Sequence, residues 1–184
     1  INAAITKRDQ RVKLNQIRDF IAVAEAGSLR GAARRLGLAQ PAITRSIKEL
    51  EHSLEAQLFI RESRGVRLTS VGEDFLPRAL AIQNDLQRAR DAVRQSHGAV
   101  DGDLVIGMSV AGHLGILPEA MVRFQGKYPK VRVRLIEGLL PTLEVGLQTG
   151  QVDLYIGPVA PDWATADLKI SHLFENERVV VARR

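Results

Sequence analysis

The sequence contains no cysteine, which excludes a disulfide scaffold and any zinc site built on thiolates. It has no apolar run close to the roughly 20 residues that a membrane-spanning helix requires, and no signal-peptide core follows its polar start. The four histidines are scattered without metal-ligand spacing: His52, His97, His113 and His172. These absences predict a soluble cytoplasmic protein without a metal site or a cofactor.

The positive charge of the chain is concentrated in its first third. Residues 1–70 carry 13 Lys/Arg and 7 Asp/Glu, residues 71–100 carry 4 of each, and residues 101–184 carry 9 basic and 10 acidic residues. A basic segment joined to a near-neutral remainder indicates a polyanion-binding module attached to a second domain. The alternative is a basic surface that serves only solubility.

Three short helices are predicted in the basic third. Apolar residues recur at helical spacing from residue 14, and the pattern ends at Gly27. Ser28 is suited to cap a second helix that ends at Gly37. A third helix is predicted to begin at Gln40-Pro41, because proline suits the first helical turn. Two helices joined by a short glycine turn are typical of a helix-turn-helix, whose second helix reads base edges.

The outward face of the third predicted helix carries the candidate base readers Gln40, Thr44 and Arg45. Amide and guanidinium groups pair bidentately with purine edges in the major groove. Pro41 is expected to add an apolar contact. The residues expected to contact phosphates or the minor groove are Ser28, Arg30, Lys48 and Arg64. Two further arginines stay open between a phosphate contact and a solvated position: Arg34 and Arg35.

Two extended runs between residues 58 and 70 follow the third helix. They are separated by Glu62-Ser63-Arg64-Gly65, a sequence typical of a hairpin turn. A basic hairpin after a helix-turn-helix predicts a wing that lies along phosphates or in the minor groove.

A long helix is predicted from Ser70, where Ser70-x-x-Glu73 fits a capping box and an apolar seven-residue repeat follows. Pro77 is expected to bend it. A long helix with a narrow apolar seam needs a partner, so we expect it to pair two chains; the alternative is packing against the chain's own domain. The predicted dimerisation residues are Phe75, Ala79, Ile82, Leu86, Ala89 and Val93.

Strands and helices alternate after a polar linker near residues 97–103. Strands are predicted at LVIGM, VRVRLI, VDLYIG and the closing RVVVA, with helices at about 112–125 and 142–149. This alternation implies a parallel sheet of βαβ units. Ser109 follows the first strand and precedes a helix start, where unpaired N–H groups attract an anion. Gly157 and Pro158 end a strand, at the edge where parallel sheets place ligands.

Many of these residues occur in the same order and at the same spacing as the characteristic residues of a known protein family. In the winged helix they are Leu14, Phe20, Glu25, Gly27-Ser28, Ala32-Ala33, Leu36, Gln40-Pro41-Ala42, Ile47, Leu50-Glu51, Leu58-Phe59, Arg61, Gly65, Leu68-Thr69 and Gly72. In the second half they are Glu137-Gly138, Leu143, Leu147, Gly150, Asp153 and Ile156. With this pattern the chain resembles the LysR-type transcriptional regulators from Lys13 onward.

The resemblance implies an α/β multidomain fold. It comprises a flexible lead (1–12), a helix-rich winged helix-turn-helix (13–70), a dimerising linker helix (71–97) and part of an α/β effector-binding domain (98–184). That domain is similar to periplasmic solute-binding proteins, and about half of it is expected here. The implied function is transcription regulation by a homodimer or homotetramer, with double-stranded promoter DNA, a small-molecule effector and RNA polymerase as partners. The resemblance places effector contacts at Ser109.

The chain departs from the family pattern at several positions. Ala39 replaces a hydroxyl residue that caps the recognition helix, a loss of about 1 kcal/mol. Glu55 stands at a common glycine position, Thr44 replaces a more frequent serine, and Leu140 falls where many members place a pocket hydroxyl.

Two other classes of function are less consistent with the sequence than a regulator. The run Gly107-x-Ser109-x-x-Gly112 is one residue longer than a nucleophile elbow, and no Asp/His pair supports it, so no catalytic residue and no enzyme are predicted. A DNA-binding architectural protein would leave the α/β half without a role.

Overall fold

The computed structural model of the chain describes residues 11–160, 163, 168–173 and 175. A helical domain with one β-hairpin is followed by a small α/β unit, which gives the mixed α/β architecture expected. The elements are α1 Leu14–Ala26, α2 Leu29–Leu36, α3 Gln40–Leu54, β1 Phe59–Glu62, β2 Gly65–Leu68, α4 Ser70–Ser96, β3 Gly102–Met108, α5 Val110–Gly115, α6 Leu117–Lys127, β4 Val131–Glu137, α7 Leu140–Gln148 and β5 Leu154–Ile156. The predicted strand RVVVA and most of the predicted flexible lead lie outside the described residues.

Local sequence signals set the ends of the first three helices. Gly27 and Gly37 end α1 and α2 in left-handed conformations, with φ of 61° and 65°. The Ser28 hydroxyl oxygen accepts the Gly31 N–H at 3.1 Å and caps α2. These three predictions are confirmed. The N-cap residue of α3, Ala39, makes no side-chain capping bond, and Glu55 ends this helix at a φ of 52° where glycine would be unstrained.

The core of the helical domain is built around Phe20, whose side chain is completely buried. Its ring centroid lies 5.3 Å from that of Phe59 on β1 and 5.1 Å from that of Phe75 on α4. Tilted aromatic pairs at this separation add about 0.5–1.5 kcal/mol beyond the burial of their area. The ring therefore connects α1, the hairpin and α4.

Two of the predicted dimerisation residues, Phe75 and Ala79, pack against the core of this domain. Ala79 has no exposed surface and is not available to a second chain, whereas Phe75 packs against Phe20 and is partly buried. The apolar seven-residue repeat is present in α4, but its first two residues face the chain's own core. The core of the helical domain also includes contacts from beyond the boundary predicted at residue 70, because Leu76 and Leu80 pack against it.

Helix α4 begins one residue earlier than the predicted capping box requires. Its N-cap is Thr69 rather than Ser70, and the Thr69 Oγ1 accepts the Gly72 N–H at 3.0 Å. The same hydroxyl donates to the Gln57 carbonyl at 2.7 Å, which connects the helix start to the segment before β1. The helix is continuous through Pro77.

The wing is an antiparallel hairpin that packs on the α1–α2 turn. Glu62 pairs with Gly65 across the two-residue turn, as the turn sequence predicts. The Gly27 carbonyl accepts the Val66 N–H at 2.9 Å. A Cβ added at Gly65, whose φ is 148°, would lie 2.3 Å from that carbonyl oxygen. This position therefore requires glycine both for its backbone conformation and for the close approach of two chain segments.

The second half forms a parallel three-stranded sheet in the order β4-β3-β5, which confirms the βαβ prediction. Its core contains Ile106, Met108 and Leu117. The helix predicted at about 112–125 is two helices, α5 and α6, separated at Ile116. Among the residues given above, no helix combines the length and apolar composition needed to cross a membrane.

One face of α4 contacts the turn between α7 and β5. The Asn84 side-chain amide donates to the Thr149 carbonyl at 2.7 Å, and Arg88 forms an ion pair with Asp153 at 3.4 Å. The Asp153 carboxylate also accepts the Val105 N–H of β3 at 2.9 Å. The linker helix is thereby connected to the edge of the sheet.

Replacing Gly65 by alanine is expected to lower the free energy of unfolding of the helical domain by about 3 kcal/mol, because the methyl group collides with the Gly27 carbonyl and strains the backbone. Urea denaturation followed by circular dichroism measures the change. As a control, Gly126→Ala in α6 introduces a Cβ with nothing within 4 Å and is expected to be neutral or slightly stabilising. Equal stability of the Gly65→Ala variant and the parent would contradict the described packing of the wing.

Candidate nucleic-acid interface and effector cleft

One face of α3 forms an open, shallow groove. The residues that line it are Gln40, Pro41, Thr44, Arg45, Lys48, Glu49 and His52. On the opposite side of the helix, Ile43, Ile47 and Leu50 are buried and hold α3 against the core. The predicted base readers are thus brought together on one surface, and the surface is left open to solvent.

The charged groups of this face are available to an external partner. Arg45 and Lys48 are exposed, and within the described part of the chain neither makes a hydrogen bond or an ion pair. The Thr44 hydroxyl donates to the Gln40 carbonyl at 3.0 Å. Its oxygen lone pairs and methyl group remain available, so Thr44 can accept a hydrogen bond or contact an apolar group.

Further unpaired arginines surround α3. Arg30 and Arg34 on α2 and Arg64 in the wing turn are exposed and have no ion-pair partner among the residues with described positions. Arg35 differs from Arg34 because it pairs with Glu25. Ser28 is half-buried and its hydroxyl caps α2, which places it at the start of that helix as expected.

Arg61 also belongs to the candidate interface, although it was not predicted as a site residue. It lines a second groove, between α3 and β1, together with Thr44 and Lys48. It is exposed and unpaired within the described ranges. Only its place in the family pattern marked it, because the closeness of β1 to α3 arises from tertiary packing.

Glu51 fixes the wing relative to α3. Its Oε1 accepts the N–H groups of Leu58 and Phe59 at 2.8 and 3.2 Å, so the start of β1 is bonded to the end of α3. Charge-assisted bonds of this kind are about twice as strong as neutral ones. The position of Arg61 beside Lys48 follows from this contact.

The predicted effector residues meet at the carboxyl edge of the parallel sheet. Ser109 is only 5% exposed, caps α5, and donates its N–H to the Ile156 carbonyl at 2.9 Å. Gly157 follows β5, and a Cβ added there would lie 2.9 Å from the Ser109 Oγ. Pro158 continues the same edge and lines an adjacent cleft.

Tyr155 lies at this edge and was not predicted as a site residue. Its hydroxyl is buried, and it lies 2.3 Å from the position of a Cβ at Gly157. Burial raises the pKa of the Tyr155 hydroxyl above 10.0, and a backbone contact with Leu140 opposes the rise. Its place in an apolar strand is the pattern of an ordinary strand residue and does not mark a site.

The cleft beside these residues has a volume of about 450 Å³, within the usual range for small-molecule sites. Its walls come from the start of α7 and the segment after β5: Leu139, Leu140, Pro141, Glu144, Pro158, Val159, Ala160 and Trp163. Leu140 is 5% exposed, so the family departure at this position puts an apolar side chain in the wall. No cluster of three potential metal ligands occurs among the described residues.

A winged helix-turn-helix joined to a parallel α/β unit with a cleft defines a class of regulatory proteins. The description "Bacterial regulatory helix-turn-helix protein, lysR family" matches residues 14–73, and "LysR substrate binding domain" matches residues 97–184. The chain belongs to the LysR family.

Individual relatives agree with this assignment. The transcriptional regulator PcaQ of Agrobacterium fabrum is 34% identical over 174 residues, which are 94% of this chain and 56% of the relative. The uncharacterized regulator YdcI of Escherichia coli is 30% identical over 95% of this chain and 57% of its own. The crystal structure of CbnR, a LysR family transcriptional regulator, aligns with a TM-score of 0.57 at 33% identity over 76% of this chain and 47% of CbnR. The chain spans about half the length of these relatives.

Replacing Glu51 by alanine is expected to destabilise the helical domain by about 2 kcal/mol, because two backbone N–H groups lose their acceptor. Thermal unfolding measures the loss, and amide hydrogen exchange at Leu58 and Phe59 should accelerate. Glu51→Gln keeps an acceptor oxygen at the same place and is expected to lose less than half as much. If both variants unfolded like the parent, Glu51 would not hold the wing.

Proposed function

We propose that the protein is a sequence-specific, DNA-binding transcriptional regulator of LysR type that responds to a small molecule. The observation that carries the proposal is the polar face of α3, whose Arg45 and Lys48 are unpaired within the described structure and flanked by unpaired arginines on α2 and the wing. A basic surface held rigidly by a buried helix face suits a duplex groove bordered by phosphates.

In the proposed complex, α3 enters the major groove. Arg45 and Gln40 pair with purine edges, and Thr44 offers an acceptor or its methyl group. Pro41 supplies an apolar contact at the start of the helix. Phosphate and minor-groove contacts come from α3 itself, from α2 with its cap and from the wing: Ser28, Arg30, Lys48, Arg61 and Arg64.

Two variants separate base reading from phosphate binding. Arg45→Ala is expected to weaken binding to the selected site by about 1–3 kcal/mol and to relax the preferred sequence, whereas Lys48→Ala should weaken binding to all duplexes and lower the salt slope by about 0.9. Sites are first selected from a random DNA pool, and affinities are then measured at several salt concentrations. Equal losses of Arg45→Ala on selected and random DNA would remove Arg45 from base reading.

The later part of α4 supports a homodimer. Ile82 and Val93 are 42% and 61% exposed and Ala89 is exposed, so these three members of the apolar seam lack cover from the chain's own core, while Leu86 is partly buried. At about 100° per residue, this seam faces away from Asn84 and Arg88, which contact the sheet edge. A second chain can therefore pack on α4 while the α/β unit stays attached. Two-fold symmetry then presents two α3 helices to an inverted-repeat site, and paired dimers form a tetramer.

Replacing Leu86 by aspartate is expected to dissociate this dimer, because it places a charge at the centre of the apolar seam. Sedimentation velocity should show monomers, and affinity for the selected inverted repeat should fall strongly. Gln95→Asp puts the same charge on the other face of the exposed end of α4 and is the matched control. A Leu86→Asp protein that sediments as a dimer would rule out this seam.

The contacts of α4 also suggest how ligand binding is transmitted. Asn84 contacts Thr149 at the end of α7, and Arg88 contacts Asp153, which immediately precedes β5. The segment after β5 includes Pro158, which lines the cleft. A ligand that moves this edge would shift α4 and with it the spacing of the two winged helices. We propose that this shift changes either the geometry of the promoter DNA or the contact with RNA polymerase.

A further inference from the structure

Among the described residues that line the groove on α3, one is acidic: Glu49. It shares this surface with Arg45, one turn before it, and with Lys48. A carboxylate that faces a duplex is repelled by the phosphates, so it lowers the affinity of a basic surface for DNA of any sequence. Glu49 does not neutralise Arg45 either, because no ion pair joins the two within the described structure, although their spacing of four residues permits one.

A contact with α1 holds the Glu49 carboxylate in place. Gln16 is only 2% exposed, and its Oε1 accepts the Lys13 N–H at 2.9 Å. This bond fixes the orientation of the amide, because the backbone N–H requires an oxygen, and the Gln16 Nε2 is thereby turned toward α3. The Nε2 donates to the Glu49 Oε2 at 3.3 Å. One carboxylate oxygen is thus bound to α1, and the other, Oε1, makes no hydrogen bond within the described ranges.

The place of Glu49 on α3 puts this second oxygen on the face proposed to meet base edges. Pro41, Arg45 and Glu49 follow one another at intervals of four residues and lie along one ridge of the helix. Four residues advance about 6 Å along a helix axis, which is close to two base-pair steps of about 3.4 Å. A carboxylate can only accept hydrogen bonds, so it needs a base that presents a donor.

We infer that Glu49 is a specificity residue that reads cytosine, about two base pairs from the base that Arg45 contacts. This rests on the proposed function, because it takes α3 to enter the major groove. Cytosine alone among the four bases presents an amino donor and no acceptor in that groove, so the Glu49 Oε1 accepts its N4–H. Guanine presents two acceptors and is repelled. The carboxylate lowers the affinity for all duplexes and increases the discrimination between them.

Replacing Glu49 by glutamine is expected to reverse the preference at this base pair. The Gln16 Nε2 binds the carbonyl oxygen of the new amide, so the NH2 group faces the groove and donates to guanine. Sites are selected from a random duplex pool, and duplexes that differ at this pair are then titrated. The parent should bind cytosine about tenfold more tightly than guanine, and Glu49→Gln should bind guanine more tightly. Glu49→Ala should lose the preference and bind random duplexes more tightly, because a negative charge is removed.

Glu73→Gln is the matched control, because it removes the same charge from the first turn of α4, outside the α3 groove, and should select the parent's sequence. A Glu49→Gln protein that still selects cytosine, or that loses discrimination without gaining guanine, would refute the inference. A purely structural role would lower the unfolding temperature of Glu49→Ala and leave its base preference unchanged. Arg45→Ala tests the proposed function separately: if it changes the selected sequence and the Glu49 variants do not, the function stands and the inference fails.

Discussion

Phe20 lies at the centre of the helical domain and contacts a phenylalanine from the wing and another from the linker helix. Three elements distant in the chain therefore share one buried ring, and the surface that they present outward has a fixed shape. The basic groups around α3 depend on this packing, because Arg61 and Arg64 belong to the wing while Arg45 and Lys48 belong to α3. Without the ring contacts, the wing and α3 would not be held together, and their basic side chains would not form one surface.

Much of this arrangement was predictable because it is determined locally. The glycines that end α1 and α2, the serine that caps α2 and the proline that begins α3 act within a few residues of themselves. The alternation of strands and helices likewise predicted a parallel sheet, and the spacing along α3 predicted which face would be polar. For such features the nearest neighbours in the chain supply the physical cause.

Features that depend on distant neighbours were missed. A seven-residue apolar repeat predicts that one side of α4 packs against another surface, but it does not identify that surface. The chain's own core covers Ala79, whereas Ile82 remains exposed. The same reason applies to Tyr155, which has the pattern of any strand residue until folding brings Gly157 and Ser109 to its hydroxyl. The role of Arg61 beside Lys48 likewise depends on the bond from Glu51 to the start of β1.

The hydrogen bond from Thr44 to the Gln40 carbonyl limits the freedom of a candidate base reader before any DNA is present. A hydroxyl that already has a bonded geometry loses less rotational entropy when a base approaches than a freely turning one. Because its proton is engaged, this side chain in the proposed complex would favour base edges that present an amino group or a thymine methyl and disfavour edges that present only acceptors. In the proposed complex, α3 therefore carries part of its sequence preference as an internal bond of the free protein.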